Sequence, residues 1–220
     1  MASDLKGLRV AILAADGAEE VELRKPWEAL EKAGAHVELL SLKKGKLQAF
    51  RHLDKGGTYD IDKKVADADP DEYDALFVPG GVANPDFLRM DPKAVEFARS
   101  FFAAGKPVAS ICHGPWVLVE ANAVSGRTLT SWPSLQTDIR NAGGNWVDEQ
   151  VVVDGALVTS RKPDDIPAFV DRMIEAFARP LHAAEGTPPP PRRQTRRDVV
   201  DEQIAESFPA SDAPSGPSVV

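Results

Sequence analysis

The stretch Val108-Ala109-Ser110-Ile111-Cys112-His113-Gly114-Pro115 decides how the rest of the chain is read. A short apolar run enters a turn and meets a proline suited to a first helical turn, where its missing N–H breaks no bond. Gly114 lets the backbone turn sharply at little steric cost. A strand delivered straight into a helix is the unit of an α/β protein, and the chain's single cysteine sits at the junction. Two readings of Cys112 follow from the pattern. It is a small buried hydrophobe at a strand end, or it is a nucleophile whose thiol pKa is lowered by the N-terminal N–H groups and dipole of the helix.

With 220 residues, 43% of them hydrophobic, the chain can bury a full core, and its length favours one domain over two. One cysteine forbids an intrachain disulfide and fits a reducing cytoplasm better than a secreted setting. The polar residues 1–7 show no charged-then-apolar leader pattern, and no apolar run approaches the roughly 20 residues of a membrane helix. A net charge of -8 argues against nucleic acid as a partner, while leaving room for a small anionic or neutral substrate.

From Leu8 to about Pro180, strand-like and helix-like patterns alternate. Strands are expected at 9–14, 36–41, 75–78 and 107–111, and less clearly at 127–130, and their near-continuous apolar character implies burial on both faces. Helical spacing follows the first strand through Val21, Leu23, Trp27 and Leu30 to Gly34. It recurs over 93–104, ending at Gly105. Ile166, Phe169, Val170, Met173, Ile174 and Phe177 make a third apolar stripe, capped by Asp164 or Asp165. Residues 151–153 and 156–160 flank Asp154-Gly155, read as a two-residue turn at an antiparallel edge. The expected class is therefore α/β, a flavodoxin-like three-layer sandwich: a mostly parallel sheet, helices on both faces, and an antiparallel edge hairpin. Residues 43–69 are longer and more polar than a simple connection; they read either as a functional loop or as a surface hairpin. The domain is expected to span 7–180. Beyond it, 181–220 hold 7 of the 18 prolines, including the run 188–191, and read as a flexible tail. Within the tail, Val200, Ile204 and Phe208 could line one side of a short amphipathic turn.

Cysteine hydrolysis needs a thiolate, a proton carrier and oxyanion donors. His113 follows Cys112 directly, and because neighbouring side chains at a turn generally diverge, it is free to face another subunit instead. His36, His52 and His182 are not placed by sequence as alternative bases. In Asp16-Gly17-Ala18-Glu19-Glu20-Val21-Glu22 the carboxylates fall at the same sheet edge as Cys112, with Glu19 and Glu22 on one helical face. They complement a helix N-terminus, or one of them is buried beside the sulfur with a raised pKa and donates a hydrogen bond to a thiolate. Pro79-Gly80-Gly81 ends another strand, and its glycines let backbone N–H groups approach a ligand.

Together these segments resemble the PfpI group of the ThiJ/PfpI superfamily, proteins with a class I glutamine amidotransferase-like fold that include peptidase-like proteins, glyoxalases and deglycases. The resemblance is carried by Ala18-Glu19-Glu20-Val21-Glu22 with Pro26, by 74–81 ending in Pro79-Gly80-Gly81, by 107–115 around Cys112, and by Thr130-Ser131-Trp132-Pro133. It implies Cys112 as nucleophile, Glu22 as the carboxylate bonded to its sulfur, and the N–H groups of Gly81 and His113 as the oxyanion site. It also implies a Cys-His-acid triad whose acid comes from an adjacent subunit. Asp86 stands where a glutamate is usual, with a shorter reach. Trp132 replaces a common tyrosine, making the pocket wall larger and more apolar, and Glu19 joins it in substrate binding.

The resemblance implies a cytoplasmic stress-response hydrolase or lyase acting on reactive carbonyls or glycated adducts, or on peptides. It needs no metal and no other cofactor, and it assembles with itself as a homodimer or larger ring. The alternative is a non-enzymatic redox sensor or chaperone in which Cys112 is oxidised. Glutamine amidotransfer would require a later His-x-Glu, whereas the only later histidine, His182, precedes Ala183-Ala184.

Overall fold

A computed structural model describes residues 5–179. The tail expected at 181–220 lies outside the described residues. The chain runs β1 (Arg9–Leu13), α1 (Glu20–Lys32), β2 (His36–Ser41), β3 (Lys46–Arg51), β4 (Asp54–Asp60), β5 (Lys63–Lys64), β6 (Ala75–Val78), α2 (Ala83–Arg89) and α3 (Pro92–Ala103). It continues through β7 (Val108–Ile111), α4 (Pro115–Glu120), β8 (Thr128–Leu129), α5 (Gln136–Asn141), β9 (Asn145–Trp146), β10 (Val151–Asp154), β11 (Leu157–Ser160) and α6 (Ile166–Phe177).

Seven strands form one sheet in the order β10-β11-β7-β6-β1-β2-β5. All neighbours are parallel except the edge pair β10 and β11. The fully apolar runs of β6 and β7 are buried on both faces, as expected of a parallel sheet covered twice. Alternation along β1 divides the core. Val10 and Ile12 pack with Leu23 and Leu30 of α1 and Phe169 and Met173 of α6, whereas Ala11 and Leu13 join Val95 and Ala98 of α3 and Leu118 of α4. The result is the expected three-layer, flavodoxin-like sandwich, in which each fully buried large side chain contributes about 2 kcal/mol.

Three local expectations are corrected. The edge turn is Gly155-Ala156, one residue later than Asp154-Gly155, because Asp154 pairs with Leu157 and Gly155 takes the left-handed conformation at φ 58°. The segment at 127–130 shortens to β8, which pairs with β9 in a separate parallel ribbon. Asp165 precedes α6 but caps it with no side-chain bond, since its carboxylate accepts from Arg161 at 2.9 and 3.2 Å. For residues 43–69 the structure combines the two readings, a hairpin that also lines a cleft. These residues hold β3 and β4, an antiparallel pair whose tip reaches the cleft described below.

From β1 the chain moves outward to β2 and β5, then returns to β6 on the other side of β1 and continues to β7 and β11. Such a reversal opens a crevice at the carboxyl ends of the strands, where open α/β sheets bind ligands. The segments after β1, β6 and β7 all meet at that edge. No helix among the described residues is long and apolar enough to cross a membrane.

Candidate active site

Cys112 is the first residue after β7 and adopts φ 62°, a left-handed backbone that costs a non-glycine residue about 1 kcal/mol or more. The fold holds it there from both sides. Its N–H donates to the Ser160 carbonyl of β11 at 3.0 Å, and its own carbonyl accepts from Trp132 N–H at 2.8 Å. The turn needs Gly114, where a Cβ would collide with Ser110 Oγ and the Val78 carbonyl. The sharp turn aims the side chain into a cleft while leaving the residue only 7% exposed.

Glu22, two residues into α1, is fully buried beneath that sulfur. Neither of its oxygens has a partner in full hydrogen-bond geometry among the described residues. Burial pushes its carboxyl up to about 8, aided by the charge of Glu19, while the Cys112 thiol and the N–H groups of Gly80 and Gly81 pull the other way. At neutral pH it therefore keeps its proton and faces the thiol as a donor. Pro26 cannot donate to the Glu22 backbone carbonyl four residues earlier, so α1 is loosened at the turn that carries the carboxyl.

The helix dipole does not set the thiol as the sequence reading expected. Burial drives the Cys112 thiol up, and the Glu22 carboxylate adds to the rise by charge and hydrogen bonding. The groups that favour the thiolate are the N–H groups of Gly81 and His113. Two buried acids so close cannot both ionise, so the charge on one opposes loss of the proton from the other. With Glu22 protonated the charge repulsion vanishes, and the two amides then work against burial alone.

The expected divergence of Cys112 and His113 is also overturned. The left-handed turn folds the two side chains together, and His113 Nδ1 lies 3.3 Å from Cys112 Sγ. Nε2 lies 3.3 Å from Ser134 Oγ. The imidazole stacks on Trp132 with centroids 6.0 Å apart and meets the Trp116 edge at 5.4 Å. Burial depresses its pKa to about 4, so it is neutral at physiological pH and can accept a proton. Asp86 does not join this set within one chain. It lies in the first turn of α2, half-exposed, and accepts from Arg89 Nε at 3.0 Å. Arg89 in turn lies over the Trp116 ring at 4.7 Å.

The Gly80-Gly81 turn fits because both positions lack a Cβ. One at Gly80 would strike Glu22 Oε2 and Cys112, and one at Gly81, at φ 87°, would strike the Gly17 carbonyl and Glu19 N–H. Asn84, which the sequence did not single out, locks the turn in place. It is fully buried, accepts from Ala15 N–H at 2.7 Å, and donates to the Pro79 and Gly80 carbonyls at 2.8 and 3.0 Å.

These groups open into a cleft of about 450 Å³ that also holds Glu19, Trp132, Phe50, His52 and Leu53. The last three come from the β3–β4 hairpin and had no signal in sequence, because only tertiary docking brings them here. That docking is explicit. Gly17 N–H donates to Gln48 and Phe50 N–H to Ala18 through backbone bonds of 2.9 and 2.8 Å, and Glu19 Oε2 accepts from His52 N–H at 2.9 Å. Glu20 accepts from Gly57 N–H, Tyr59 and Arg51. No group of three or more His, Cys, Asp or Glu among the described residues is arranged to hold a metal ion.

A doubly covered parallel sheet with a cysteine on a strained strand-to-helix turn, a buried protonated carboxyl beside it and two backbone amides facing the sulfur defines a class of flavodoxin-like cysteine proteins. The chain belongs to the DJ-1/PfpI family, whose model matches residues 8–176. It is 45% identical over 168 residues to a deglycase of Pyrococcus abyssi, covering 76% of this chain and 98% of that one. It is 42% identical over 162 residues to protein/nucleic acid deglycase 2 of Escherichia coli, covering 73% and 92%. Among solved structures, Drosophila melanogaster DJ-1beta superposes with a TM-score of 0.71 at 29% identity, covering 78% of this chain and 90% of that chain.

Proposed function

We propose that this protein is a cysteine-dependent hydrolase or lyase of the PfpI type that acts on reactive carbonyls or glycated adducts in a cytoplasmic stress response. The observation that carries the reading is the left-handed Cys112, 3.3 Å from a neutral His113 and faced by the buried carboxyl of Glu22. Relatives with 42–45% identity named as deglycases support the substrate class. In the proposed step the thiol proton passes to the neutral His113 imidazole, and the Cys112 sulfur forms a bond to the aldehyde carbon. The carbonyl π pair becomes an alkoxide facing the Gly81 and His113 N–H groups, and Glu22 exchanges protons with the adduct. Cleavage of peptides would use the same nucleophile and amides.

A homodimer or larger ring is part of the proposal, with Asp86 of a second copy completing the acid side of His113. Its half-exposed position on α2 supports such a reach. Light scattering on the purified chain reads the assembly, and a monomer would remove the triad. For the activity itself, methylglyoxal turnover and release of early lactoyl adducts should be abolished in Cys112→Ala, and equal rates would refute it. The protonated Glu22 also favours a second reading, since it would donate to a sulfinate on Cys112 in a redox sensor. Mass measurement after mild peroxide tests this, with no selective gain of two oxygens as the refuting result.

A further inference from the structure

We propose that the tip of the β3–β4 hairpin, His52-Leu53, is the outer wall of an apolar subsite that selects substrates bearing an aryl or branched alkyl group next to the reacting carbonyl. The inference rests on the carbonyl-adduct reading above and narrows its substrate class. Among the described residues, the large exposed hydrophobics include Leu53 at 94%, Val82 at 59% and Trp132 at 39%, and all three line the cleft that holds Cys112. Exposed apolar side chains gathered at one mouth mark a binding surface. The cleft, about 450 Å³, is of a size that encloses a drug-sized molecule and leaves most of its volume empty around a three-carbon carbonyl.

The wall is held in position. Arg51 pairs with Asp54, so His52 and Leu53 form a two-residue turn, and His52 takes φ 57° at a position where glycine is usual. Glu19 fixes that strained residue through its N–H, from the same helix start that carries Glu22. Farther along, β4 carries an extra residue opposite Ala49, and Gly56 and Gly57 there lie against the Glu20 carboxylate, where a Cβ would collide. The hairpin is thus clamped at its tip and its waist by adjacent glutamates, and Leu53 stands almost fully exposed on the single chain. The opposite wall is Val82 at the start of α2 and Trp132 stacked on His113. An apolar substituent entering between them places the attached carbonyl towards Cys112.

The test needs no turnover, because Cys112 is the chain's only cysteine. Alkylation rates with iodoacetamide and with N-benzyl iodoacetamide, each normalised to a free small thiol, give the preference of the cleft for an aryl group. The folded wild-type protein should favour the benzyl reagent. Leu53→Ser should lower that preference about fivefold, the discrimination one face of a leucine supplies, while the iodoacetamide rate stays within twofold. Leu53→Met should keep the preference. Wild-type indifference to the benzyl group, an unchanged preference in Leu53→Ser, or an equal change with both reagents would overturn the proposal. If the benzyl preference depends on Leu53 but no carbonyl adduct is turned over, the activity proposed above fails and the subsite stands.

Discussion

Replacing Glu22 by glutamine should make the protein more stable, by an amount that grows with pH. Unfolded, the Glu22 carboxyl ionises near its ordinary value of 4.5, and folded it ionises near 8. Between those values the native state holds a proton that the unfolded chain has released, so stability falls as pH rises. The contribution is fully present below pH 4.5 and is lost by pH 8. At about 1.4 kcal/mol per pH unit, the accumulated penalty reaches roughly 4–5 kcal/mol. His113 works in the opposite sense. Its native pKa, near 4, lies below the ordinary 6.5, so its share of stability rises across that window. Because His113 is present in both proteins, it drops out of the difference between them. Urea unfolding followed by tryptophan fluorescence at pH 5, 6, 7 and 8 should show Glu22→Gln gaining on wild type by about 1 kcal/mol per pH unit. A gap that is constant with pH would refute the assignment of a protonated, desolvated Glu22. The same variant retains a donor beside the sulfur but cannot exchange a proton, so it should keep a reactive thiol and lose turnover.

Other substitutions test the scaffold around the sulfur. Asn84→Ala removes three buried hydrogen bonds and should cost about 2–4 kcal/mol in denaturant unfolding, with a smaller loss sinking its role as the lock on the Gly80-Gly81 turn. Gly80→Ala puts a methyl group where Glu22 and Cys112 meet, and should cost about 1–3 kcal/mol while slowing Cys112 alkylation at least tenfold; normal alkylation would contradict the packing described. Ser134→Ala leaves His113 Nε2 without its hydroxyl partner. It should change stability by less than about 1 kcal/mol yet lower turnover severalfold, and unchanged kinetics would remove Ser134 from the site.

The sheet was legible because its strands are buried on both faces. Runs such as Ala75–Val78 have no polar face to confuse with a helix, and the helical patterns between them point to parallel pairing. Cys112 and Gly81 were legible for a related reason, since each lies within three residues of a strand's carboxyl end, whereas Glu22, inside α1, was singled out by the family resemblance. What stayed hidden depends on conformations or dockings that residue type does not announce. A cysteine does not advertise φ 62°, and only that angle brings His113 onto the sulfur. The low-pKa reading of the thiol rested on the turn before α4, which shows in sequence, whereas the burial of the thiol itself, the largest influence on it, does not. Asn84 reads as a helix-start asparagine, and the bond that ties it to the segment after β1, from Ala15 N–H, spans 69 residues of sequence. Phe50, His52 and Leu53 belong to a hairpin outside the main sheet, and the carboxylates of Asp16, Glu19 and Glu20 that help seat it find partners more than 30 residues away, a pairing that residue type alone does not announce.

The bond from Cys112 N–H to the Ser160 carbonyl has a consequence for how the protein is made. During synthesis the cysteine leaves the ribosome well before β11 exists, and until that strand docks nothing on its side holds the cysteine in its strained pose. The reactive geometry is therefore a late product of folding, completed near the end of the domain. A nascent chain or a fragment truncated before β11 carries the same cysteine as an ordinary thiol, so assembly of the last parallel strand itself arms the nucleophile.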